Sequence, residues 1–341
     1  YNRTSMPGDF VHLHLHTQYS LLDGANRVGE VCRRIRELEM PAVAITDHGN
    51  MFGAFSFYHE ALKQGVRPIL GVEAYIAPGD RRDREAQAAS ESGEGYAYHL
   101  TILAATQTGY RNLVRLVSEA YLTGFYHRPR MDKALLRENA EGLIALSGCL
   151  KGEVAGALSR GNFGAAKRTV AEYQDIFGRE NFFIELMDHG LPKQTEILPD
   201  LLKLAAETGA QPVATNDSHY LRREDAFAHE VLLCIGMGKT LEDERRMRFY
   251  NDEFYVKSAD EMRDRFARWS VESLTNTGAL AERCAVTFDT ESLHLPTFSA
   301  PEGRTPADYF ADLAREGLER RLQEMEPFFR AGRIPNPPEK Y

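Results

Sequence analysis

Seven short apolar runs recur through the first 220 residues, separated by amphipathic stretches of helical period. The runs are FVHLHLHT, PAVAITDHGN, RPILGVEAYIA, HLTILAAT, GLIALSGCL, NFFIELMDHG and QPVATNDSHY. Segments such as RVGEVCRRIRELEM, YRNLVRLVSEAYL and EILPDLLKLAAETG lie between them and carry apolar residues at three- and four-residue spacing. A strand–helix–strand alternation with near-continuous apolar strands predicts right-handed crossovers and a mostly parallel sheet buried on both faces. Seven such units favour a closed or nearly closed barrel, with an open sheet as the alternative. From about Asp225 the pattern turns helical, in EDAFAHEVLLCIGMG, ADEMRDRFARW and SLTNTGALAERC.

Every run also carries a polar residue able to bind a metal. His12, His14 and His16 alternate in the first, which puts all three on one face of a strand. Asp47 and His48 end the second, Glu73 lies in the third and His99 starts the fourth. Cys149 ends the fifth, Asp188 and His189 the sixth, Asp217 and His219 the seventh. In barrels the active site forms where strand ends and their loops converge, so residues spread from 14 to 219 can meet in one bowl. The candidate ligands are His14, His16, Asp23, His48, Glu73, His99, Cys149, Asp217 and His219. Imidazole, thiolate and carboxylate are the donors zinc prefers, and nine are more than one tetrahedral ion needs. Two or three ions sharing bridging carboxylates suit phosphoester chemistry, where clustered cations stabilise charge on a phosphoryl group.

Each piece has a simpler reading. An HxH pair occurs on exposed strand faces, TDHG can be a helix cap and turn, and a lone cysteine is usually a small buried apolar residue. Glu73 is harder to dismiss, because an unpaired buried carboxylate is costly. His12 is read as structural, and Asp47, Asn216 and His189 as supports or substrate contacts. His59, His127, His229 and His294 are read as solvated, and GFYHRPR as a packed loop. Lys151, Arg111 and Arg128 are candidate phosphate contacts by their nearness to the bowl.

Other features bound the class. Four cysteines lie far apart with no CxxC pair, which fits a reducing cytoplasm rather than a disulfide scaffold. No apolar run is long enough to span a membrane. The net charge of −9 argues against a free-standing DNA-coating protein and suits a carboxylate-rich metal site. Residues 1–9 are read as a disordered or cloning-derived N-terminus, 78–96 as an exposed polar insertion, and 288–341 as a linker and helix leading into something longer.

Together HLHTQYSLLDGA, AITDHGNMFGAFSFYHEA, RPILGVEAY, LVRLVSEAYLTGFYHRPR, EGLIALSGCLKGEV and VATNDSHY resemble the polymerase-and-histidinol-phosphatase (PHP) domain family. More narrowly they look like the N-terminal part of the alpha subunits of bacterial replicative DNA polymerase III. The resemblance runs from about Phe10 to Phe298. It implies an α/β fold, a distorted seven-stranded (β/α)7 barrel over 10–287, followed by a mainly helical C-terminal extension.

The resemblance also implies a trinuclear site. One ion would take His14, His16, Glu73 and Asp217. A second would share Glu73 and add His99 and Cys149. A third would take Asp23, His48 and His219. Asp217, Glu73 and His48 would carry catalysis, as a metal-dependent 3′–5′ exonuclease with zinc, manganese or iron. Two other readings follow: a non-catalytic metal-stabilised scaffold that docks the proofreading exonuclease (epsilon-type) subunit, and a stand-alone phosphatase. The implied partners are DNA, the palm, thumb and fingers of the same polypeptide, where magnesium would serve polymerisation, that exonuclease subunit and the sliding clamp, in the cytoplasm and with no membrane.

Overall fold

The structure, a computed structural model, describes residues 10–84, 97–289, 292–293, 295–301, 303–334 and 340. It divides into two compact units, Tyr1–Thr287 and Phe288–Tyr341. In the first unit the chain runs through α1 (Val28–Glu37), β1 (Ala42–Ile45), α2 (Ala54–Gln64), β2 (Arg67–Ile76), β3 (Tyr98–Ala104) and α3 (Gln107–Leu122). It continues through β4 (Phe125–Tyr126), β5 (Arg128–Met131), α4 (Lys133–Glu138), β6 (Leu143–Leu146), α5 (Glu153–Ser159) and α6 (Phe163–Phe177). Then come β7 (Phe182–Leu186), α7 (Pro192–Thr208), β8 (Pro212–Ala214), α8 (Ala226–Met237), α9 (Ala259–Phe266) and α10 (Val271–Arg283). The second unit holds α11 (Pro306–Arg330), capped by the Thr305 hydroxyl, which accepts from the Asp308 amide.

The strands make one curled sheet. β1 pairs parallel with β2, with Ala42 opposite Arg67, and β6, β7 and β8 follow one another in parallel. β3 runs antiparallel to both its neighbours, β2 and β6, which corrects the expectation of parallel crossovers throughout. The described part of the connection, residues 77–84 and 97, holds no helix, and antiparallel neighbours need no crossover. The first apolar run also differs from expectation. It forms no ladder strand but joins the two edges of the sheet by single bridges, His12 to Val43 and Leu15 to Ser218. The His16 amide donates to Ser218 and the Thr46 amide to Leu15, so residues 12–17 complete a distorted seven-member ring with β1, β2, β3, β6, β7 and β8.

Alternation in that segment separates two environments. Val11 and Leu13 pack with Ala42, Ile69, Ile144 and Val213 in an apolar core that Leu280 and Ala281 of α10 complete. His14 and His16 are equally buried but belong to a polar cluster at the other end of the ring.

Three smaller expectations change. Most of the insertion at 78–96 lies outside the described residues, but its beginning is anchored. Arg81 is buried and bonds Asp132 at 2.9 Å and the Thr123 hydroxyl at 2.8 Å. GFYHRPR is an antiparallel hairpin of β4 and β5 turning at His127 (φ 56°), and β5 extends the edge of β2 at Tyr75 and Ile76. The helical region after 225 is interrupted from 238 to 258, an irregular stretch returning to the barrel through a Tyr220–Tyr255 bridge.

Candidate metal centre

The cluster is built on strand ends. The first segment supplies His14 and His16, the turn after it Asp23, the end of β1 His48, β2 Glu73, β3 His99, the turn after β6 Cys149, and the turn after β8 Asp217 and His219. Glu73 lies at its middle. Its Oε1 is 2.8 Å from His99 Nδ1, 3.5 Å from His14 Nε2 and 3.6 Å from Cys149 Sγ, while Oε2 is 2.7 Å from His48 Nδ1 and 3.4 Å from His16 Nε2. Asp217 Oδ1 sits 3.0 Å from His16 Nε2, 3.3 Å from His14 Nε2 and 3.6 Å from His219 Nδ1. Asp23 reaches His48 Nε2 at 2.9 Å and His219 Nε2 at 3.9 Å. The His16 ring stacks between those of His48 and His219, at centroid separations of 4.1 and 4.4 Å. All nine candidate ligands therefore meet.

Two turns aim the ligands through unusual backbone. Asp217 has φ 42°, a left-handed conformation uncommon outside glycine and most tolerated by Asn and Asp. Gly148, at φ 82°, lies against the His99 carbonyl, and a Cβ there would come within 2.4 Å of that oxygen. Only glycine lets the turn carrying Cys149 sit that close to β3.

Burial and charge oppose one another in the cluster. Burial alone would raise the carboxyls of Glu73 and Asp217, yet the imidazoles around them hold both well below the usual range. His14 is the converse: burial disfavours its charge, but Asp217, Glu185 and Glu73 hold its pKa well above the ordinary value. His16 falls to about 3 through burial and the proximity of His48 and His219. Burial, with Glu73 and Asp217 close by, pushes the Cys149 thiol well up, so it is protonated until a cation offsets those charges.

The donor set fits a metal. Asp23 Oδ1, Glu73 Oε2 and Asp217 Oδ1 are shut away from water and make no well-aligned hydrogen bond despite the imidazole nitrogens close by, which suits oxygens that a cation would take. Three groups, His16–His48–His219, His14–His16–Glu73 and His48–Glu73–His99, each bring their ligand atoms within 4.8 Å of one another.

The remaining predicted residues surround this core unevenly. His12 Nε2 bonds the Lys257 carbonyl at 2.9 Å, and burial lowers its pKa to about 4. Asp47 accepts from the Thr17 amide, the Thr17 hydroxyl and the Ser20 hydroxyl, fixing the loop after His16. Asn216 donates to the Glu253 and Tyr255 carbonyls, and its own carbonyl is held by His189 Nε2 at 2.8 Å. Arg128 lies 5.5 Å over Tyr75, whose ring stacks on His48. Lys151 is exposed beside Cys149, its carbonyl accepting from the His99 amide, whereas Arg111 is exposed on α3 with no described tie to the cluster.

Two residues correct the sequence reading. Glu185 on β7 was passed over, yet it is buried and bonds His14 Nδ1 at 2.7 Å while accepting from Thr101, Thr215 and the Gly148 amide. It fixes the tautomer that leaves His14 Nε2 facing Glu73 and Asp217, the usual arrangement behind a metal-binding histidine. The signal was available: like Glu73, it is a carboxylate inside an apolar strand. His229, expected in solvent, is buried, because α8 folds it over His219 and its Nε2 meets the Asp23 carbonyl at 2.7 Å. Of the others, His59 is half-buried against Phe55, His127 is exposed, and His294 lies outside the described residues.

The family model of the PHP domain matches residues 12–189. The chain belongs to the PHP-domain family. The PHP chain is also similar to the DNA polymerase III subunit alpha of Saccharopolyspora erythraea, 46% identical over 318 residues, and to that of Thermus aquaticus, 47% over 330. These alignments take in 88% and 94% of this chain but 27% of each relative, so it spans about a quarter of the curated proteins it matches. Among solved structures, a candidate metal-dependent phosphoesterase from Bifidobacterium adolescentis is 14% identical with a TM-score of 0.37, covering 79% of this chain and 98% of that one. A likeness that distant carries no argument about activity. Among the described residues no helix is long and apolar enough to cross a membrane.

Proposed function

We propose that this PHP domain is a metal-dependent phosphoesterase acting at a DNA 3′ end, within a polypeptide of the DNA polymerase III alpha type. The observation that carries the reading is the set of three carboxylates, Asp23, Glu73 and Asp217, each with one oxygen shut away from water and without a hydrogen bond, gathered with five imidazoles and the Cys149 thiol. His14, His16, Glu73 and Asp217 would hold one ion; Glu73, His99 and Cys149 a second; Asp23, His48 and His219 a third. Zinc suits these donors, and manganese or iron would also be accepted. Cations held there would supply Lewis acidity and charge stabilisation to a phosphodiester.

The chain's own residues divide the remaining work. Glu73 and Asp217 hold the imidazoles of the first segment in place and present negative charge at the centre. Asp23 and His48 form the more open edge, with side chains 24% and 15% exposed, where a phosphodiester can approach. His48, with Nε2 toward Asp23 and Nδ1 toward Glu73, orients that edge. Lys151 and Arg128 would steady the phosphate, and Arg111 has less support.

We propose as its surroundings DNA, the rest of the polymerase polypeptide with its magnesium, an epsilon-type proofreading subunit and a sliding clamp, in the cytoplasm. The test pairs metal analysis with release of nucleotides from 3′-labelled single-stranded DNA. Wild type should bind metal and release label, and Asp217→Asn, compatible with the left-handed backbone, should stay folded and lose release. Metal bound without release would replace catalysis by the scaffold reading, which the near-complete burial of His14, His16 and Glu73 favours. This chain should not extend a primer, and templated incorporation by it would sink that expectation.

A further inference from the structure

A cavity of about 230 Å³ opens beside the cluster, between α8 and the segment bearing Phe249, Tyr250 and Asn251. Phe227, His229 and Glu230 of α8 complete the part that matters here. Two of its walls are shared with the candidate metal centre. The Phe249 ring lies 4.8 Å from that of His219, and His229 lies 5.7 Å from His219 while meeting the Asp23 carbonyl. A carbonyl only accepts, so His229 carries its proton on Nε2 and leaves Nδ1 as an acceptor.

The lining is aromatic but not sealed. Phe227 and Tyr250 are 64% and 85% exposed, although both border the cavity. Here the open rings border a concave pocket that also carries polar groups, the combination typical of a ligand site, rather than standing singly on the surface. Glu230, paired with Arg246, and Asn251, which bonds the His189 carbonyl, add polar edges. The volume is below that usual for a drug-sized ligand and suits a flat fragment.

We infer that this cavity is a nucleobase subsite, taking the base of a terminal nucleotide whose phosphodiester lies on the Asp23–His48–His219 edge. The assignment rests on the phosphoester reading above. Open aromatic rings stack any base, because every base presents a π-face. Selectivity among the four bases is therefore small, and the discrimination is between a nucleotide and a bare sugar phosphate.

The test is calorimetric binding of dTMP, dAMP and 2-deoxyribose 5-phosphate to the purified chain loaded with manganese, beside Tyr250→Ala and Phe227→Ala. Both side chains are exposed, so the variants should keep the wild-type circular dichroism. The two nucleotides should bind alike and about tenfold tighter than the sugar phosphate, the size of one aromatic–base stack. Each variant should reduce that advantage and leave sugar-phosphate binding unchanged. Equal binding of all three compounds, or equal weakening of all three by the variants, overturns the subsite. A second arm compares 3′-labelled oligonucleotides ending in an ordinary or an abasic residue. Base-dependent binding with neither oligonucleotide cut leaves the subsite standing and removes the phosphoesterase; equal cutting of both, unmoved by Tyr250→Ala, removes the subsite and leaves the phosphoesterase.

Discussion

At the scale of single residues, Glu73 and Glu185 show how far a sequence can be read. Both are carboxylates within apolar strands, and both are buried. Glu73 stands out as a costly carboxylate inside an apolar strand, whereas Glu185, in the same situation, is masked by the nearby Asp188 and His189, which look more like ligands. Asp188 instead binds Arg268 and the Trp269 indole, and His189 stacks on Phe254. Those partnerships join positions some 65–80 residues apart, and no local spacing announces them. Because Glu185 orients His14, Glu185→Gln should weaken metal affinity about 10- to 100-fold with the fold retained, the range for losing such a support. Titration of the purified variant with a metal indicator checks it.

At the scale of elements, the helices and most strands were legible from their apolar period, while direction and pairing were not. β3 runs antiparallel to β2 and β6, a direction that the polar composition of 78–96 could not orient. The turn after β6 has a sharper consequence. Gly148→Ala must push against the His99 carbonyl at a positive φ, so it should cost more than about 1 kcal/mol and displace Cys149. Urea unfolding with a metal titration reads both effects. The irregular stretch after α8 is tied down by Glu253, which pairs with Arg223, Lys257 and Arg265. Burial would raise its carboxyl, but Lys257 and Arg223 depress it to about 2 from an ordinary 4.5. A depressed carboxylate contributes stability that is complete above pH 4.5 and is lost as pH falls toward 2. Glu253→Gln should therefore lower stability at pH 7 by on the order of 1–2 kcal/mol after solvent screening. The gap from wild type in chemical denaturation should close below pH 4.5.

At the scale of the molecule, nine candidate ligands scattered over about two hundred residues meet because strand ends in a ring share one rim. That convergence was legible from recurrence alone; the depth of the site and the α8 cover over it were not. A cation bound only by the folded ring stabilises it by mass action, about 2.7 kcal/mol when free metal is a hundredfold above its dissociation constant. Chelation should lower the melting temperature of wild type, and much less that of Asp217→Asn, in a calorimetric scan. The bridge between Leu15 and Ser218 adds a kinetic consequence. A chain emerging from the ribosome has made His14 and His16 long before Asp217 exists, and pairings this distant in sequence form late. The ring can shut, and the nine candidate ligands can come together, only once residue 219 is free of the exit tunnel, so the pocket proposed for the ions is among the last parts of the domain to be born.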